Sequence, residues 1–157
     1  MARRLVDKYP CVKCGEKVEV RSRREIEHAH CERCAQRTRH LACASFGFKR
    51  AQKMFNENNA KGDVMETVRW VMEVAAEATQ AASRAICAAQ LNPNQMEASR
   101  WVDIAHEWAR WASGLIDQSI EVAKGLDRLA VAPSLETPPE LSIPKQGHLR
   151  VLKGGAR

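Results

Sequence analysis

Residues 11–35 read CVKCGEKVEVRSRREIEHAHCERCA, and the two Cys-x-x-Cys pairs in that stretch, Cys11 with Cys14 and Cys31 with Cys34, decide how the N-terminal end folds. Sixteen residues separate the pairs, the spacing of a tetrahedral zinc site rather than of a disulfide framework. Within each pair a tight turn aims two thiolates at one cation, and the interval is long enough for a hairpin that returns the second pair to the first. Four thiolates fill every position around the metal. One structural Zn2+ per chain is therefore expected, with no seat left for water or substrate. A thioredoxin-like redox pair would need a single Cys-x-x-Cys between a strand and a long helix, whereas here an arginine-rich stretch joins two pairs. His28 and His30 lie close enough to Cys31 to compete as ligands, so a Cys3His site stays open as the alternative.

Val18 and Val20 alternate with Lys17, Glu19 and Arg21, the pattern of a half-buried strand. The stretch 25–30, EIEHAH, reads as a second strand returning to the second pair. Gly15 tolerates the positive φ that a turn after the first pair needs. Carried by Cys11, Cys14, Gly15, Cys31 and Cys34, the segment resembles the zinc-ribbon class of small modules over about a quarter of the chain. Ala35 stands where a glycine is common in that class. CVKCG, a basic middle and CERCAQ also look like the zinc finger of the DksA and TraR proteins, which bind bacterial RNA polymerase. In that family the helical hairpin precedes the finger, whereas here ten residues precede Cys11 and the helices follow. None of that family's functional residues is carried over.

The formal charge of +6 is unevenly spread. Residues 1–50 hold 13 Lys/Arg and 6 Asp/Glu, residues 51–132 hold 8 and 11, and residues 133–157 hold 4 and 2. A basic metal-binding end is thus joined to a mildly acidic body, an asymmetry suited to phosphate or to an acidic protein surface. Arg21, Arg23 and Arg24 would crowd the tip of the hairpin, while Arg33, Arg37, Arg39 and His40 follow the second pair. Guanidinium forks match phosphate and carboxylate. The partners expected are nucleic acid or a nucleic-acid-binding protein complex. Aromatic interleaving is sparse, with Tyr9 before the cysteines and Phe46 and Phe48 beyond them.

Outward from the cysteines the chain turns helical. A short amphipathic piece runs from about Ser45 to Asn58. Gly62 then marks a stop, and Asp63 with Glu66 a capping box. Val64, Val68, Val71, Ala75, Ala78, Ala82 and Ala85 recur at four and three up to about Gln90. Leu91-Asn92-Pro93-Asn94 breaks this helix, and Asn94 with Glu97 makes a second capping box. Trp101, Ile104, Trp108, Trp111, Leu115, Val122 and Leu129 mark the next stripe, with a polar gap near Gln118. At 1.5 Å per residue the two helices are about 40 and 55 Å long. The fold class expected is mainly α, a small N-terminal zinc ribbon followed by a long antiparallel helical hairpin. The divisions are a zinc-ribbon module over 1–44, a helical domain over 45–130, and a Pro-rich flexible tail over 131–157 with Pro133, Pro138, Pro139 and Pro144.

Two helices cannot enclose both stripes, so a third helix, the zinc module or a second copy must cover the remainder. The length of the stripes argues for a homodimer, with Trp101, Trp108 and Trp111 at a helical interface. The catalytic inventory is thin. His106-Glu107 opens like a zinc-protease helix, but the position four after His106 is Arg110. Gly154-Gly155 is followed by no helix that could bind phosphate, and Cys43 near His40 is a weak thiolate pair. The opening MARRLVDKYP has no apolar core, and no run of eighteen apolar residues exists. A cytoplasmic, non-enzymatic zinc-binding regulator, with no small-molecule substrate and no membrane, follows from these features. The alternative is a protein-protein adaptor or inhibitor of the kind phages and mobile elements encode, acting through its helical body.

Overall fold

Two short strands bracket the first cysteine pair. In the computed structural model, which describes residues 7–20, 29–57, 64–124 and 136–141, β1 (Asp7–Pro10) and β2 (Lys17–Val20) form a two-stranded antiparallel sheet. Tyr9 faces Val18 and Pro10 faces Lys17. The hairpin thus encloses Cys11 and Cys14 in its own loop, where the sequence had suggested a hairpin lying between the two pairs. Pairing with the residues just upstream closes a shorter loop, which carries less entropy cost. Cys11 N–H donates to the Glu16 carbonyl at 2.7 Å and Gly15 N–H to the Cys11 carbonyl at 2.8 Å. Most of the strand expected over 25–30, with Arg21, Arg23, Arg24 and His28, lies outside the described residues; Ala29 and His30 belong to no strand.

The second pair opens a helix. Helix α1 (Glu32–Asn56) takes Cys31 as its N-cap, in extended conformation, and runs 25 residues. It merges the expected second knuckle with the short piece expected from Ser45, so the division at 44/45 falls inside one helix. The stretch 35–44, AQRTRHLACA, is rich in good helix formers and holds neither Gly nor Pro, so nothing stops propagation. Helices α2 (Val64–Gln90) and α3 (Gln95–Lys124) lie where the apolar periods put them. Asn94 caps α3, its Oδ1 accepting from Met96 N–H at 3.1 Å and Glu97 N–H at 3.3 Å. The Asp63 box and Leu129 are outside the described residues.

Helix α1 is the third layer that the two stripes needed. It meets α2 and the connection that follows it in reverse order: Arg37 bonds Asn92 just past α2, Gly47 lies against Ala81, Arg50 pairs with Glu77, and Trp70 Nε1 donates to the Met54 carbonyl. At Gly47 an added Cβ would stand 2.8 Å from Ala81 Cβ, so a glycine is what lets these helices approach so closely. Leu41, Ala44, Phe48 and Ala51 of α1 join Val71, Ala75, Ala78, Ala82 and Ala85 of α2 and Trp101, Trp108, Trp111 and Leu115 of α3 in one core. Phe48 and Trp108 are fully buried, with ring centroids 4.7 Å apart. Trp111 meets Trp108 and Phe55 edge-on, both at 5.4 Å. The three tryptophans expected at an interface therefore pack between helices of a single chain, and no second copy is needed to cover them.

Residues 136–141, part of the expected tail, lie on this body. Trp111 Nε1 donates to the Glu136 carbonyl at 2.9 Å and Leu141 packs against the core. Among the described residues no helix is long and apolar enough to cross a membrane.

Candidate metal centre

Local backbone geometry delivers all four cysteines to one point. The hairpin loop presents Cys11 and Cys14, and Gly15, at φ +78°, makes the turn that closes it. Val12 N–H donates to the Ala29 carbonyl at 2.9 Å and ties the loop to the approach to α1. The first turn of α1 presents Cys31 and Cys34, with Cys34 N–H directed at Cys31 Sγ from 3.5 Å. The four Sγ atoms lie within 4.8 Å of one another, and this is the one such cluster among the described residues. In a tetrahedral site with metal–sulfur bonds of about 2.3 Å, sulfurs sit about 3.8 Å apart, so closure needs movements of about 1 Å at most. Cys14 Sγ and Cys31 Sγ are 3.6 Å apart, well beyond a disulfide bond of about 2.05 Å, and all four thiols are free. Cys11, Cys31 and Cys34 are buried with Val18 against them, and Cys14 forms the exposed rim. The set can hold a metal ion. His30 is not part of it, its Nδ1 being buried without a hydrogen-bond partner, and His28 lies outside the described residues.

Electrostatics divide the three buried thiols. Burial opposes ionisation of Cys11, but backbone N–H donors at Cys31, Lys13 and Cys14 outweigh it and bring the thiol from 9.0 down to about 6. At Cys31 burial wins and pushes the thiol up, despite the donor at Cys34. Burial likewise raises Cys34, helped by its contact with Cys14. One thiolate within the trio is thus favoured while further ionisation is opposed, and a cation drawn to it would reverse that pressure on its neighbours.

The arginines singled out in the sequence fall into three groups. Arg33 Nε donates to the Leu91 carbonyl at 3.1 Å and Arg37 Nη1 to Asn92 Oδ1 at 2.7 Å. Each gives one donor to the protein, from an exposed side chain at Arg33 and a half-buried one at Arg37, and together they tie the cysteine-bearing end of α1 to the connection between α2 and α3. Asn92, itself buried, also accepts from Asn94 N–H at 3.0 Å. Arg39 is exposed, and Arg21, Arg23 and Arg24 lie outside the described residues. The clamp was not foreseen; its one trace in the sequence is a second asparagine, Asn92, in a connection where Asn94 alone suffices as cap. No protein-family model matches the chain, and no significant match is found among curated proteins or among solved structures.

Proposed function

We propose that this chain is a small zinc-binding regulator that works by binding rather than by turnover, engaging nucleic acid or a nucleic-acid-processing complex through its basic, cysteine-bearing end. The observation that carries the reading is the closed cluster of four thiols within 4.8 Å of one another, placed in the fifty residues that hold 13 Lys/Arg against 6 Asp/Glu. When bound, a zinc ion supplies a fixed divalent centre that keeps four thiolates in one rigid knot. The chain's own residues do the rest. Gly15 shapes the loop, Cys31 starts α1, and Arg33 and Arg37 fix that helix to the bundle. Lys17 and Arg39 stay exposed to meet a polyanion, and Arg21, Arg23 and Arg24 follow β2 in the chain. With four protein ligands on the metal, no position is open for a substrate.

Exposed Met65, Met72 and Ile86 on α2 favour a second reading. Spaced by seven and fourteen, they share one line along the helix, which suits an adaptor or inhibitor acting through its helical body.

Elemental analysis tests the first step: one zinc per chain in protein prepared without chelator. Cys31→Ser should lower that ratio well below one while far-UV circular dichroism keeps its helical signal, because serine still caps α1. Retained stoichiometric zinc in the variant would refute the four-cysteine site. A pull-down from native cells with and without nuclease separates the two functional readings.

A further inference from the structure

The solvent face of α1 carries a stripe that neither the metal nor the core uses. Arg39, Cys43, Phe46, Arg50 and Lys53 recur at spacings of four, three, four and three, which is one line along a helix, with Lys49 beside it. Phe46 is 67% exposed at the middle of this line, whereas Phe48, two residues on, is fully buried against Trp108. A ring so largely exposed adds little to the core, and here it is flanked by cations. Arg39 and Lys49 are exposed and have no ion-pair partner among the described residues. Arg50 stands 3.6 Å from Glu77 and Lys53 3.7 Å from Glu57, with both cationic side chains more than half exposed. The Lys53–Glu57 pair is open to water on both sides and holds weakly, while Arg50, whose Glu77 partner is largely buried, keeps the outer part of its guanidinium open to a phosphate.

We infer that this stripe is a binding track for single-stranded nucleic acid, with Phe46 stacking on a base and Arg39, Lys49, Arg50 and Lys53 holding the backbone on either side of it. From residue 39 to 53 the track is about 21 Å long at 1.5 Å per residue, room for a few nucleotides. It starts on the helix that bears Cys31 and Cys34, so it continues the basic end of the molecule. A ring on a convex helix reaches only a base whose face is free, which duplex DNA denies it and a single strand provides. The inference rests on the nucleic-acid reading above and narrows it to one strand, one helix face and one stacking residue.

The test uses the full-length, metal-loaded protein and fluorescence anisotropy in low salt, with a labelled oligo(dT) and a labelled duplex of matched length. Phe46→Ala and Phe46→Leu should each weaken oligo(dT) binding about five- to a hundredfold, the range for losing one stacked base, while Phe46→Trp keeps it. Duplex affinity should be unmoved by all three. Arg39→Ala with Lys49→Ala should lower the slope of log K against log salt by about 1.4, the release of two single-strand contacts. Phe46 is exposed, so these variants keep fold and metal content, checked by melting temperature and elemental analysis. If wild-type protein binds oligo(dT) but loses affinity only when Arg21, Arg23 and Arg24 are changed to alanine, the track is wrong and the basic module stands. If wild-type protein binds neither probe, both ideas fall.

Discussion

Cys11 and its neighbours make a metal-free protein whose stability turns with pH in two opposite senses. The Cys11 thiol is depressed from 9.0 to about 6, so its contribution is complete above about 9 and is lost as pH falls through about 6. Cys31 and Cys34 are raised by burial, so theirs is complete below about 9 and is lost as pH rises beyond it. Thermal melts of chelator-stripped protein across pH should show the thiol contribution climbing from about 6 to a maximum near 9. A curve falling over that interval would contradict the assignment. Gly47 makes the second residue-scale case. Gly47→Ala gains about 1 kcal/mol of helix propensity, but its Cβ would meet Ala81 Cβ at 2.8 Å, and overpacking costs about 1–3 kcal/mol. A net loss of up to about 2 kcal/mol is expected in denaturant unfolding, relieved by adding Ala81→Gly. The cysteines were legible in the sequence because ligand spacing is a local property. Gly47 was not, because a glycine inside a helix reads as a weakness until the helix packed against it is known.

Helices α2 and α3 could be read from the chain because each carries a long apolar period and α3 a cap whose chemistry is local. Asn94→Ala tests that cap. It removes the acceptor for Met96 and Glu97 N–H and should cost about 1 kcal/mol in denaturant unfolding, with Asn94→Asp recovering most of it. The hairpin and α1 were read less well, for different physical reasons. The four-residue β1 has no periodicity to detect, and it exists because β2 offers it a partner next door. In α1 the buried residues Cys34, Leu41, Ala44, Phe48 and Ala51 include several small or polar-flanked positions, so the inward face looks faint in the sequence. It became visible only against the bulky rings of α3. The arginines show the same limit from the other side: Arg33 and Arg37 looked free, and their bonds to Leu91 and Asn92 span more than fifty positions of chain.

For the whole molecule, the arrangement of three helices changes what the tryptophans predict. Trp108 is fully buried among Phe48, Trp111 and the alanines of α2. Trp108→Ala should therefore cost about 3–5 kcal/mol, seen as a lower melting temperature with the molecular mass unchanged in light scattering. A drop in mass on substitution would mean that the ring also seals a contact between copies. The unbroken course of α1 has a further consequence. Its head supplies two of the four thiols and its middle supplies Leu41, Ala44, Phe48 and Ala51 to the core, so the chain has no seam between 32 and 56 where the two ends can be parted. A cation held at that head can be reached from the exposed Cys14 side, but it is fully released only when Cys31 and Cys34 let go at the first turn of a helix anchored in the core. The rate at which a colorimetric chelator strips the metal then becomes a stopwatch for loosening of that head from the body. Core variants such as Trp108→Ala should run it faster without altering a single ligand.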